Sequence, residues 1–104
     1  MDRTDHLLEL MKKGDDAFNA RDWTILDTVH HPDMVAYVPG APEPIRGREA
    51  HKAAMNGLFA MFPDIRVTTP YDVGFGRGDW ITVLTRANGT SAETGATFNV
   101  EFAQ

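Results

Sequence analysis

Apolar and polar positions alternate in two distinct rhythms along this chain, helical in its first half and strand-like in its second. Residues 5–20 repeat at helical spacing: Leu7, Leu10, Met11, Gly14, Ala17 and Phe18 share one face. Asp2 and Asp5 near the start suit the positive end of the helix dipole. Gly14 weakens such a helix by about 1 kcal/mol relative to alanine. Close packing is the simpler reason for it, and an opening beneath the helix is the other. Asn19-Ala-Arg-Asp22 breaks the pattern, and Asp22 is a good N-cap for a short second helix with Trp23 and Leu26 facing inward. His30-His31-Pro32 ends that helix. Residues 33–38 read as a short strand, Pro39 to Pro44 as a turn-rich connection, and Ile45-Arg46 as a short returning strand. Residues 48–62 carry the clearest helical period, with His51, Ala54, Met55, Leu58, Phe59 and Phe62 on one face.

Pro63 ends the helical half. Ile65, Val67, Thr69, Tyr71, Val73 and Phe75 then fall on one face at period two, which predicts one long strand. Gly74-Phe-Gly-Arg-Gly78 reads as a glycine-rich reversal. A second strand runs from Trp80 to about Asn88, where Asn88-Gly89 signals a turn. A third starts near Glu93 and runs to the end, with Phe98, Val100, Phe102 and Gln104 on one face and Asn99, Glu101 and Ala103 on the other. Helices first and strands after predict an α+β domain, an antiparallel sheet with helices on one face.

Composition narrows the function. The 104 residues make one domain, 1–104, whose small size leaves much surface exposed, so pairing with a second copy would help it. The formal charge is −5 and the basic residues form no run, which argues against a nucleic-acid groove or an anionic membrane surface. The absence of cysteine removes disulfides, thiolate catalysis and cysteine metal sites, and suits a reducing cytoplasm. No window has signal-peptide or membrane-span character. The expectation is a soluble, cytoplasmic protein.

The order helix, short helix, hairpin, helix, long strands resembles the cone-shaped fold of nuclear transport factor two. Within that superfamily the chain is similar to the SnoaL-like polyketide cyclases and their ester-cyclase and ketosteroid-isomerase relatives. The pieces that carry the resemblance are Ala17-Phe-Asn-Ala-Arg-Asp22, Pro32-Asp-Met-Val35, Pro39-Gly-Ala-Pro-Glu-Pro-Ile-Arg-Gly-Arg-Glu49 and Phe62-Pro-Asp-Ile-Arg66, and the likeness spans essentially the whole chain. It implies a cone-shaped α+β barrel, a curved antiparallel sheet wrapped around three N-terminal helices. It also implies a pocket for an apolar, often polycyclic, carbonyl compound. The cyclases and isomerases move a proton next to a carbonyl and stabilise the enolate with a hydrogen-bond donor. Such members place a His-Asp or acidic pair just before the Pro-Gly, where this chain has Tyr37-Val38; the isomerases carry a first-helix tyrosine, where the nearest match here is Gly14. Family members also continue past the position of Gln104, so the last strand is expected to be absent and a dimer partner to cover the sheet edge.

Several residues are candidates for a site. His51 lies on the apolar face in the first turn of the long helix, where the dipole disfavours a positive charge; it is a candidate base, or a boundary histidine bonded to a neighbour. Tyr37 is the candidate oxyanion donor. Adjacent His30 and His31 make a poor chelate, and neither a metal nor a cofactor is expected. Tyr71 reads as core or as pocket wall with a polar tip, and Trp80 as pocket lining, dimer face or packing. Gln104 stands near the place where the isomerases keep a protonated acid as donor. Phe18, Met55, Phe59, Phe98 and Phe102 read equally as cavity lining or core. Two functions remain open: a cyclase or isomerase acting by proton transfer, with His51 as base and Tyr37 as donor, and a non-catalytic ligand-binding or dimeric assembly module of the same fold.

Overall fold

The computed structural model describes residues 2–104. Its elements are α1 (Thr4–Ala20), α2 (Trp23–Val29), β1 (Val35–Ala36), β2 (Ile45–Arg46), α3 (Arg48–Met61), β3 (Arg66–Val67), β4 (Val73–Arg77), β5 (Trp80–Thr90) and β6 (Thr97–Ala103). The fold is α+β, three helices with antiparallel sheets.

Local chemistry sets the helix ends. Arg21 closes α1 in the left-handed region, φ 58°, and the Asp22 N–H reaches back to the Ala17 carbonyl at 2.8 Å. Arg21 also ties the helix to the α3–β3 connection. Its guanidinium donates to the carbonyls of Phe18, Pro63 and Ile65 at 2.8–2.9 Å and lies 3.8 Å from the Phe59 ring centre. The Asp22 carboxylate accepts from the Ile25 N–H and caps α2. Gly14 answers to close packing: a Cβ there would stand 3.3 Å from Val29 Cγ2.

β5 is the centre of the main sheet. Leu84 pairs with both Val73 and Ala103, and Ala87 with both Val67 and Val100, so β3 and β4 share one edge of β5 and β6 takes the other. α1 lies across the face that carries Val67, Val83 and Thr85, all buried. Thr85 is the buried polar residue of this layer, and its hydroxyl donates to the Thr68 carbonyl at 2.6 Å. On the other side of α1, Ala17, Leu26 and Met55 form a buried cluster ringed by Phe18, Trp23, Ile25 and Phe59.

The sheet departs from the sequence expectation in three places. The predicted single strand over 65–75 is broken. Residues 68–72 stand opposite only Thr85 and Arg86, and this odd surplus of three reverses the inward–outward alternation. Ile65 and Val67 are buried as expected, whereas Val73 and Phe75 turn to the outer face, 45% and 61% exposed. The expected Gly74–Gly78 reversal is strand as far as Arg77, and the chain turns at Gly78-Asp79. Gly74 pairs with Val83 within the strand, and a side chain is disfavoured there because a Cβ would meet Leu8 of α1 at 3.0 Å. Asn88-Gly89 is not a turn either. β5 runs through it to Thr90, and Ser91–Ala96 makes the connection. Gly89 gives way to an aromatic ring: a Cβ would lie 2.9 Å from Phe98 Cε1 and 3.3 Å from Ile65 Cα.

Candidate functional site

The broken strand places its bulged segment against α1. Tyr71 Oη donates to Asp15 Oδ2 at 2.7 Å, and Gln104 Nε2 donates to the same oxygen at 2.9 Å. Three remote parts of the chain thus meet at one carboxylate. Gln104 is held firmly for a residue just beyond a strand: its N–H and C=O both bond Val83, at 2.9 and 3.1 Å. Burial is the largest influence on Asp15 and pushes its carboxyl above the usual aspartate range, against the two donated hydrogen bonds, which favour the charged form. Tyr71 is driven far upward by burial and by Asp15, so it stays a protonated donor.

Phe98, Val100 and Phe102 line the inner face of β6 up to Gln104, opposite Gly89, Ala87 and Thr85. Phe98 meets Phe62 edge-on at 5.1 Å between ring centres. Val100 is 49% exposed although it faces the helix side, so the helices leave this apolar surface open.

His51 stands elsewhere. Its ring meets His30 edge-on, 5.1 Å between centres, at the joint of α2 and α3. Burial lowers both histidines, and His30 lowers His51 further, so both imidazoles are neutral at pH 7. His51 Nδ1 is buried without a hydrogen-bond partner among the described residues. Tyr37 is 80% exposed just beyond β1, and Trp80 is 82% exposed on the outer sheet face. Phe18, Met55 and Phe59 sit in the helical cluster. Of the sequence candidates, the structure therefore brings Tyr71 and Gln104 to one point and sets Trp80 on the opposite face of the sheet.

Sequence reasoning missed the residue at the centre, Asp15. A signal was present: Asp15 is four residues after Met11 and three before Phe18, at the edge of the apolar stripe. Among the described residues no group of three or more histidine or acidic side chains is placed to hold a metal ion, and no helix is long and apolar enough to cross a membrane.

The three helices with antiparallel sheets form an α+β fold of the nuclear-transport-factor-two-like class. The model of the SnoaL-like polyketide cyclase family matches residues 8–102, and the chain belongs to that family. Solved structures agree on the fold. IdmH of Streptomyces antibioticus, a candidate polyketide cyclase, is 24% identical, with a TM-score of 0.80, over 91% of this chain and 77% of its own. A candidate SnoaL-like polyketide cyclase from Jannaschia sp. CCS1 is 19% identical, with a TM-score of 0.84, over 96% and 74%. TerC, co-crystallised with polyporic acid, is 20% identical, with a TM-score of 0.77, over 91% and 75%. No curated protein matches the chain significantly.

Proposed function

We propose that this protein moves a proton next to a carbonyl group of a small apolar molecule, as a cyclase or isomerase. The observation that carries the reading is the Asp15 carboxyl, raised by burial and bonded at Oδ2 by Tyr71 and Gln104. Both donors use Oδ2, which leaves Oδ1 to meet a substrate proton. A carboxylate raised by burial is a stronger base than a solvated one. In the step, a C–H bond beside the carbonyl breaks and an O–H bond forms on Asp15. The electron pair moves into the enolate, whose oxygen carries the negative charge. Once Asp15 is protonated it needs its donors less, and the Tyr71 O–H and Gln104 N–H can turn to the enolate oxygen. In a cyclase the enolate carbon then attacks a second carbonyl, whose C=O π bond opens to an alkoxide that takes the proton back from Asp15; in an isomerase Asp15 returns the proton to another carbon of the enolate. Phe98, Val100 and Phe102 offer the flat apolar contact for the substrate.

This reading places the base on α1, where the sequence pointed to His51 and Tyr37. A binding module of the same cone is the alternative, favoured by Tyr37-Val38, which supplies no carboxylate where the resemblance implies one. The test is deuterium exchange at the α-carbon of polycyclic ketones in heavy water, followed by NMR. The proposed function requires exchange that Asp15→Asn slows by roughly 10²-fold or more. Binding without exchange would support the module instead.

A further inference from the structure

Asp15 and Asp16 are neighbours on α1, and each takes a hydroxyl from the same excursion of the sheet. Tyr71 Oη reaches Asp15 at 2.7 Å, and Thr69 Oγ1 reaches Asp16 Oδ1 at 2.6 Å. The excursion is tied to β5 at its start, where the Thr68 N–H donates to the Arg86 carbonyl at 2.8 Å and the Thr68 carbonyl accepts from the Thr85 hydroxyl at 2.6 Å; beyond Thr68 these two side-chain bonds to Asp15 and Asp16 carry it on α1. β3 ends at Val67 and β4 begins at Val73, so Thr69 and Tyr71 lie outside the strand pairing. Asp16 is itself fixed, since Lys12 donates to its other oxygen, Oδ2, at 2.7 Å one helical turn away. The two carboxyls are pushed in opposite directions: burial raises Asp15, while the bonds from Lys12 and Thr69 lower Asp16 and keep it an ionised acceptor.

We propose that Asp16 and Thr69 are positioning residues of the site. Their bond sets the register of the excursion on α1 and so delivers the Tyr71 phenol to Asp15. The inference rests on the Asp15 reading above and deepens it. A phenol on an unpaired segment has several rotamers open to it, and a charge-assisted bond two residues earlier removes most of that freedom. Without the Thr69 hydroxyl the Tyr71–Asp15 bond is populated less often. Asp15 then loses a donor to its charged form and titrates higher still.

The experiment is carboxyl-carbon NMR titration of Asp15, assigned with Asp15→Asn, in the wild type and in Thr69→Val, Thr69→Ser and Tyr71→Phe. Tyr71→Phe removes the bond outright and sets the full upward displacement of the Asp15 midpoint. Thr69→Val is expected to move the midpoint in the same direction, and Thr69→Ser, which keeps the hydroxyl, to restore it. A purely structural Thr69 would lower the melting temperature and leave the midpoint in place. An unmoved midpoint in Thr69→Val beside a moved one in Tyr71→Phe overturns the proposal. An unmoved midpoint in Tyr71→Phe overturns it at the earlier step, the Tyr71–Asp15 contact. Should Thr69→Val fail to fold, Thr69→Ala removes the same hydroxyl without changing the charge beside Asp15 and is read by the same criterion. Deuterium exchange by Asp15→Asn decides the functional reading independently.

Discussion

The side-chain amide of Gln104 donates to Asp15 Oδ2 at 2.9 Å, joining the first helix to the end of the last strand. Burial raises the Asp15 carboxyl, and the bonds from Tyr71 and Gln104 offset only part of that rise. A group raised in the folded state binds protons more readily there than in the unfolded chain. Its contribution to stability is fully present below the ordinary aspartate range and is lost as pH rises through the folded value. At pH 7 the ionised Asp15 therefore costs stability. Asp15→Asn is expected to melt about 2–4 °C higher than the wild type at pH 7, which corresponds to well under 1 kcal/mol in a domain of this size. The gain should vanish near pH 3, where both proteins are neutral at this position. Thermal melts across that range check it.

The histidine pair has the opposite sign. Burial lowers His30 and His51, and each is disfavoured further by positive charge, Arg48 for His30 and His30 for His51, with Asp27 offsetting part of it at His30. The folded state takes up fewer protons than the unfolded chain. Stability from the pair is complete above the ordinary histidine value, about 6.5, and is lost as pH falls through the folded values. Urea midpoints should fall between pH 7 and pH 5, and His51→Gln should flatten that slope. An equally steep slope in the variant would separate the acid sensitivity from this joint.

Arg21 joins one cost and one gain. A left-handed non-glycine residue is strained by roughly 1 kcal/mol, and the arginine head offsets this through three carbonyls and the Phe59 ring. Arg21→Ala keeps the strain and removes the clamp, so a loss of about 2 kcal/mol is expected. Arg21→Gly removes both and should lose less. Urea denaturation of the two variants tests the order.

The outer sheet face carries Val73, Phe75 and Trp80, exposed to 45%, 61% and 82%, with Leu84 between the strands. We propose that a second copy of the chain covers this patch, since a large apolar cluster on an open sheet is seldom left to water. Light scattering should give twice the monomer mass for the wild type and the monomer mass for Trp80→Glu. A monomeric wild type at micromolar concentration would remove the proposal.

Much of the first half of the fold was legible because its signals are local. The α1 stripe, the Asp22 cap, the Ile45-Arg46 strand and the period of α3 each lie within a turn or two of chain, and the structure keeps all of them. The candidate site was legible only in part. Tyr71 and Gln104 were picked out by face and position, but Asp15 reads as one more charge on the edge of an amphipathic helix until its partners 56 and 89 residues away arrive.

The sequence by itself determined the element types, the α+β order, the family and the absence of cysteine chemistry, because helical period, caps and composition are properties of neighbouring residues. Only the tertiary structure decided the register. The three surplus residues before Val73 turn Phe75 outward and Tyr71 toward α1, and no local pattern counts the residues on the opposing strand. Pairing of Asn88 with Asn99 and of Gly89 with Phe98 likewise makes Asn88-Gly89 strand, with the Phe98 ring in the space a side chain would need. A glycine preference records that space is short and leaves open whether a bend or a neighbouring ring has taken it.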